Sequence, residues 1–340
     1  MIDHFRKVNR VELADQIPDE HDAQELPDPD AIQDDVIKMM FACCHPSLST
    51  ENQLILTLKI LGGLSIREIA RVLLKKEETV AKSYTRAKKK FKEATIDLAL
   101  PDSAALKMRL RTVLQVIYLL FTEGYKTTEG DQLIKKDLCN EAIRLAVLLA
   151  EYDITDTSMT HSLLALMYFH SARFSSRVGP AGEVIPLQDQ DRKKWDGELI
   201  DKGIQALDQA VKGAFINEFY VQATISGLHC DAKTYAKTDW VSILRQYDIL
   251  VTMNPSPAIR LNRVVALAKA RSTEEALEEL DRLEAQGKLS GYYLLHAIKG
   301  DLLLEQGEVE TGKVAIERAV QLTENKAEKD YLMRKVDSIS

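Results

Sequence analysis

The densest run of side chains able to act on a ligand lies between residues 75 and 92. It holds eight Lys or Arg (Lys75, Lys76, Lys82, Arg86, Lys88, Lys89, Lys90, Lys92) against two acids, Glu77 and Glu78. The local balance is +6 in a chain whose formal total is −7. Ammonium and guanidinium groups in such numbers pair with phosphate, and an arginine fork can also read a guanine edge. A helix over 77–92 puts Val80, Tyr84, Ala87 and Phe91 on one face by their spacing of four, three and four. The cations then occupy the other faces. The two acids fall in the first turn and most bases in the last turns, an order the helix dipole favours. That order also suits a plain solvated helix, so the helix alone does not decide between the readings.

What precedes the basic stretch sharpens it. Leu54–Leu61 is strongly apolar and stops at Gly62-Gly63, where glycine permits a left-handed residue. Ser65-Ile66-Arg67-Glu68 has capping-box spacing, and Ile66, Ile69, Ala70 and Leu73 line one face of a short helix. A capped short helix, a turn and a basic helix form a helix-turn-helix pattern. Upstream, Val36, Met39, Met40 and Cys43 recur at helical spacing from Asp35 to Pro46. Ser49 or Thr50 caps the next helix, with Thr50 and Gln53 in capping-box spacing. Residues 35–93 therefore read as four helices. The basic helix lacks a Ser, Thr, Asp or Asn cap, which leaves its start uncertain by one or two residues.

Before these helices, Glu12–Asp35 carries ten acids and no Lys or Arg, and Pro18, Pro27 and Pro29 interrupt any regular pattern. This reads as a mobile acidic linker, able to shield the basic helix. Deleting 12–30 tests the shielding. Residues 1–10 read as the tail of a helix.

The remaining polar groups carry less. Cys43, Cys44, Cys139 and Cys230 are few for 340 residues and read as reduced, packed thiols. Cys43-Cys44-His45 has neither a Cys-x-x-Cys spacing nor a second ligand pair, so no metal is expected. In Asp189-Gln190-Asp191-Arg192 with Trp195-Asp196, alternate carboxylates could hold a cation. The simpler reading pairs Arg192 with a nearby carboxylate and buries Trp195. No phosphate-binding glycine loop and no catalytic triad or carboxylate pair stands out, so no cofactor and no enzymatic activity are expected. An enzyme would have to use His161, His170, Asp189, Asp191 and Trp195.

Composition is that of a soluble helical protein: 45% hydrophobic, 29% charged and 6% aromatic residues. No apolar run reaches the length of a membrane span and the N-terminus has no apolar signal region, so a cytoplasmic protein is expected. The acidic total fits one basic patch on an acidic body rather than a general nucleic-acid coat.

From Ser103 to the end the pattern stays helical, with an apolar stripe at Leu106, Leu110, Val113, Leu114, Ile117 and Leu120. Helices are expected over Glu141–Ala150, Met159–Phe174 and Trp195–Val211, with a long loop over Ser175–Lys194. A period near 34 residues follows. Ile243, Ala276 and Gly312 are spaced by 33 and 36, with Tyr247, Leu280 and Ile316 four later. Leu250, Leu283 and Ala319 lie seven later, and Pro255, Lys288 and Glu324 twelve later. This is a degenerate tetratricopeptide-like period, which implies stacked helical hairpins.

Leu64, Ser65, Glu68, Ile69, Ala70 and Leu73, followed by Thr79, Val80, Arg86, Ala87, Lys88, Lys89 and Phe91, resemble region 4 of bacterial RNA polymerase sigma factors of the extracytoplasmic-function class. The likeness extends to FACCHPSLS (41–49), YLLFTEGY (118–125), DLCNEAIRLA (137–146), LLALMYFHSAR (163–173), LQDQDRKKWD (187–196), TDW (238–240) and NPSPAIRLNRVVALA (254–268). These stretches resemble the subgroup with a tetratricopeptide-like C-terminal extension. The resemblance implies an all-α chain in three parts. Residues 1–34 form the acidic linker with a remnant of sigma region 2 (Ile2–Lys7), the rest of region 2 being missing. Residues 35–97 form region 4 and residues 98–340 the extension. It implies binding to the −35 promoter element through Lys76, Thr79, Lys82, Ser83, Thr85, Arg86, Lys89 and Lys90. Ala81 would share the outward face. Lys82 or Arg86 would reach base edges, while Lys88, Lys89, Lys90 and Lys92 would meet phosphates. It further implies contact with the polymerase β-flap through the apolar side of the helices in 49–73, and a regulatory protein or ligand on the extension. The alternative is a tetratricopeptide scaffold whose basic helix binds acidic protein instead of DNA.

Overall fold

A computed structural model describes residues 29–73, 75–94, 102–125, 134–180, 182–213, 216–287, 289, 291–323 and 326–339, with side chains from Asp35 onward. The helix tail expected in 1–10, the linker up to residue 28, the boundary at 97/98 and the repeat positions Lys288 and Glu324 lie outside the described residues. Every long element among the described residues is an α-helix, and the described β contact is a single antiparallel bridge between Val178 and Val184. The described residues fall into two compact units that divide between Thr160 and His161.

The first unit opens with α1 (Pro29–Cys43). Its first turns take up the last residues expected to be linker. Proline is suited to the first helical position, where its missing N–H has no partner to lose. Next come α2 (Thr50–Ile60), α3 (Ile66–Val72) and α4 (Glu77–Glu93), which complete the four helices expected over 35–93. Ser49 is the cap of α2, its Oγ accepting from Asn52 N at 3.4 Å. Gln53 does not close a capping box. Its Nε2 instead donates to His45 O (2.8 Å) and Leu48 O (3.2 Å), fastening the α1–α2 turn.

Helices α5 (Ser103–Tyr125) and α6 (Lys136–Ala150) pair with each other and complete this unit. The whole expected stripe of α5 is buried. Val113, Val116, Ile117 and Leu120 of α5 meet Met40 of α1, Leu58 and Leu61, and Leu145 of α6 around one small apolar junction. Gly62 makes that approach possible, because a Cβ there would lie 2.9 Å from Leu120 Cδ1 and 2.7 Å from Leu58 O. Arg109 Nη1 donates to Phe41 O at 3.1 Å, capping a carbonyl near the end of α1. The compact unit thus extends well past residue 97.

Helix α7 (Ser158–Ser171) leads into the second unit, followed by the short α8 (Phe174–Arg177). Two 3₁₀ turns (Leu187–Asp189 and Arg192–Lys194) lie in the expected loop. Asp196 caps α9 (Gly197–Val211), accepting from Leu199 N. Helices α10 (Glu218–Asp231), α11 (Trp240–Met253), α12 (Pro257–Ala270), α13 (Thr273–Ala285), α14 (Tyr293–Glu305), α15 (Val309–Leu322) and α16 (Lys326–Ser338) then pack each against the next. The periodic positions Ile243, Ala276, Gly312, Leu280, Ile316, Leu250, Leu283 and Ala319 are buried, and Tyr247 is half-buried. At Gly300 and Gly312 the backbones of α14 and α15 approach so closely that a Cβ on Gly300 would sit 2.8 Å from Gly312 O. Ion pairs stitch successive hairpins: Arg263 with Asp248 (2.7 Å), Lys299 with Glu284 (2.7 Å) and Lys335 with Asp301 (2.6 Å).

Candidate nucleic-acid interface

The turn before α3 is built as its sequence requires. Gly63 takes φ +63°, in the left-handed region that glycine enters without cost. Ser65 Oγ accepts from Glu68 N at 3.1 Å while Glu68 Oε2 accepts from Ser65 N at 2.7 Å, a complete capping box. The other carboxylate oxygen, Glu68 Oε1, accepts from Lys135 Nζ at 2.8 Å, just before α6. Burial alone would raise the Glu68 carboxyl. Lys135 and the Ser65 amide and hydroxyl outweigh it and hold the group below the usual carboxylate range. Ile69 and Ala70 are buried, so α3 is clamped on its inner face and at its first turn.

Helix α4 starts at Glu77 with Lys76 as an N-cap that makes no side-chain cap bond. Its inner face is Val80, Ser83 and Ala87, with Tyr84 and Phe91 half-buried against Met39, Cys43, Leu48, Leu56 and Ile60. Of the eight residues expected to face DNA, Lys76, Thr79, Lys82, Thr85, Arg86, Lys89 and Lys90 are exposed. Ser83 is the correction: it is 8% exposed and lies under the helix. At about 100° per residue it lies about 40° to one side of Ala87 and about 60° from Val80, the two most buried positions, and its small side chain fits where α4 meets its neighbours.

Opposite that seam, Lys82 and Lys89 stand two turns apart, a rise of about 10.5 Å. Thr85 and Arg86 lie between them. Lys82 pairs with Glu78 at 2.6 Å and Lys89 with Glu93 at 3.7 Å, all four well exposed. Exposed pairs of this kind are worth about 0–1 kcal/mol and exchange readily for phosphate. Arg86 Nε donates to Lys82 O at 3.3 Å, which steadies the stem and leaves the fork outward. Thr85 Oγ1 donates to Ala81 O at 3.0 Å. Lys75 is engaged with Glu51 of α2 at 3.0 Å, and Arg67 with Glu77 at 3.5 Å, so both hold the helices together. The result is a rigid basic helix with its cationic arc outward, narrow enough for a duplex major groove of about 12 Å.

Much of the apolar side of 49–73 is packed. Ile55, Leu56, Leu58, Leu64, Ile69 and Ala70 are all buried, and α5 packs against both α2 and α3. Leu54, Ile60, Leu61, Ile66, Val72 and Leu73 in the same stretch stay half-buried.

The other candidate groups are not part of the cationic arc of α4. Cys43 and Cys44 are buried, and burial pushes the Cys44 thiol up to about 12 and Cys43 further, so neither ionises at neutral pH. His45 Nδ1 sits 2.8 Å from Ser47 Oγ and accepts from Ser47 N, shaping a turn. No group of three His, Cys, Asp or Glu among the described residues is placed to hold a metal. Asp189 and Asp191 are exposed, and Asp191 accepts from Lys193 N at 3.1 Å. Trp195 is core at 7% exposure. Arg192 departs from its expected carboxylate pairing. It donates to the carbonyls of His229 and Ala232 and to Thr238 Oγ1 at 3.1 Å. The end of α10 holds it, through groups about forty residues away that no local pattern reveals. Lys135 is likewise a residue that the sequence pattern does not single out.

Residues 38–91 match the family Sigma-70, region 4, and residues 109–211 match a family of unknown function, DUF6596. The chain is 34% identical over 329 residues to an uncharacterized protein of Rhizobium meliloti (strain 1021), covering 97% of this chain and 75% of that protein. No solved structure matches. No described helix is long and apolar enough to cross a membrane. This chain, in which a sigma-70 region 4 helix-turn-helix is followed by a DUF6596 domain, belongs to the family of the rhizobial protein.

Proposed function

We propose that the chain is a sigma factor of the extracytoplasmic-function class that directs RNA polymerase to promoters by seating α4 in the −35 element. The observation that carries this reading is the outward arc of Lys82, Thr85, Arg86 and Lys89 on a helix whose opposite seam is packed. In this reading Arg86 or Lys82 reaches base edges, and Lys88, Lys89, Lys90 and Lys92 meet phosphates, which set register without reading sequence. The stacked hairpins of α10–α16 act as a tetratricopeptide-like regulatory extension, and the protein works in the cytoplasm without a catalytic role. A β-flap helix would meet the apolar residues of α2 and α3 that α5 leaves half-buried.

The buried periodic positions of α11–α15 also favour a second reading, a protein-interaction scaffold whose basic helix meets acidic protein. Fluorescence anisotropy on a −35-like duplex and a scrambled duplex separates the two. Sequence-selective binding that weakens steeply with salt supports the sigma reading. Binding without sequence preference, or none, supports the scaffold.

A further inference from the structure

Three of the stretches that carry the family resemblance, 163–173, 187–196 and 238–240, converge in the second unit. Arg173 from the end of the first and Arg192 from the second both lie over the Trp195 ring, their Cζ atoms 5.3 and 4.8 Å from its centroid. Arg173 Nε donates to Gln190 Oε1 at 3.2 Å, and Gln190 Nε2 donates to Ile185 O at 3.0 Å. Thr238 of the third stretch receives Arg192 Nη2. The His229 ring packs edge-on against Trp240 at 5.2 Å.

The charge in this cluster is not balanced. Among the described residues the partners of Arg173 and Arg192 are an amide oxygen, two backbone carbonyls and a hydroxyl rather than a carboxylate, and the neighbouring Asp189 and Asp191 are exposed. Two half-buried guanidiniums on one indole repel each other. Burial and then Arg173 lower Arg192, while burial, Arg173 and Arg192 hold His229 neutral, down to about 3. The cluster is also rich in unused donors. Trp195 Nε1 and Arg192 Nε are donors enclosed without a hydrogen-bond partner. An enclosed donor left without an acceptor is unfavourable and calls for an explanation. Arg192 is already spent on two carbonyls and a hydroxyl, whereas Arg173 uses its Nε and leaves its terminal nitrogens for a further acceptor. Positive charge, surplus N–H groups and few acceptors describe a site that lacks oxygen atoms of negative charge.

We propose that this cluster is a binding site for the carboxylate or phosphate group of a small molecule, held by the Arg173 fork beside Arg192 and Trp195. A planar fork suits either anion, because both offer two oxygens in reach of parallel N–H groups. Arg192 positions the site by tying the loop to the end of α10, and Arg173 makes the contact. This inference is independent of what α4 binds.

The two tryptophans of the chain, Trp195 and Trp240, both belong to the cluster, so intrinsic tryptophan emission reports on it alone. The full chain is titrated with sodium phosphate and, separately, with sodium acetate, against sodium chloride at equal ionic strength. The expected result is a saturable emission change with phosphate or acetate that chloride does not give. Arg173→Gln should weaken it about tenfold or more while keeping the melting temperature of the unliganded protein. The anion that responds more tightly identifies the recognised group. Arg173→Lys keeps the charge but loses the fork, and should bind between the two. A response shared with chloride, none at all, or equal affinity in wild type, Arg173→Gln and Arg173→Lys overturns the proposal.

Discussion

Removing the Lys135 ammonium should loosen the first helix of the DNA-reading pair from 67 residues away in sequence. Glu68 serves two masters: Oε2 closes the capping box on Ser65 N and Oε1 receives Lys135 Nζ. An N-terminal cap is worth about 1 kcal/mol. A charge-assisted bond contributes about 1.5–3 kcal/mol when enclosed. Here the side chains of Lys135 and Glu68 are 30% and 16% exposed, so about 1 kcal/mol is the better figure for that bond. Lys135→Met should then cost about 1 kcal/mol and Glu68→Ala about 2 kcal/mol, because the second change loses both contacts. Hydrogen exchange over 64–73 measures this locally and does not require the two units to unfold together. A loss of about 2 kcal/mol raises local opening roughly 30-fold, and about 1 kcal/mol raises it roughly fivefold. The effect carries a pH signature. The Glu68 carboxyl is lower in the folded state than in the unfolded chain, so its stabilisation is complete above the unfolded value of about 4.3. It is lost as pH falls through that value toward the folded one. Protection of 64–73 should fall below about pH 4 in wild type and change little there in Glu68→Ala. Unchanged exchange in Lys135→Met, or equal effects of the two substitutions, would refute the coupling.

Arg86→Ala should cost about 1–3 kcal/mol on the preferred duplex and relax preference at one base pair, measured by anisotropy across single-position duplex variants. Lys90→Ala should weaken all duplexes alike and reduce the salt slope by about 1; a sequence-selective loss there would contradict the division between base and phosphate contacts. Ser83→Ala should leave DNA affinity unchanged, because that hydroxyl lies on the packed seam. Ser83→Lys should instead destabilise the unit by about 1–3 kcal/mol, read as a lower melting temperature.

Local rules were the ones the sequence disclosed. The Ser65–Glu68 box, the left-handed Gly63, the limits of α4 and the burial of Ile243, Ala276 and Ile316 each depend on residues within a few positions of one another. What escaped depends on packing between distant segments. The four-three-four pattern of Val80, Tyr84, Ala87 and Phe91 centres the buried face, but its width is set by the helices beside α4, and that width takes in Ser83. The carboxylates that flank Arg192 in sequence point to a carboxylate partner. Its partners are carbonyls at the end of α10, and a carbonyl has no side-chain signature. Pro29 reads as a breaker beside Pro18 and Pro27, yet proline is equally a helix opener and here opens α1; composition cannot tell the two apart. The apolar stripe of α5 is core, as its spacing implies, but a stripe does not say which neighbour it covers.

That neighbour decides how the DNA-reading element can be isolated. A fragment of residues 29–97 keeps α1–α4 and loses Val113, Val116, Ile117 and Leu120, which close over Met40, Leu58 and Leu61. Burying an aliphatic side chain of this size is worth about 1.5–3 kcal/mol. Four such contacts, shared between α5 and the helices beneath it, amount to several kcal/mol against a total margin of about 5–15 kcal/mol for a domain. The Lys135–Glu68 bond is lost as well. The 29–97 fragment should therefore melt well below a 29–160 fragment and bind an apolar dye, while 29–160 should melt as a single cooperative unit by circular dichroism. Equal melting temperatures would mean that α5 rests on a surface already complete without it. A lower one would mean that the DUF6596 segment supplies part of the core on which α3 and α4 stand.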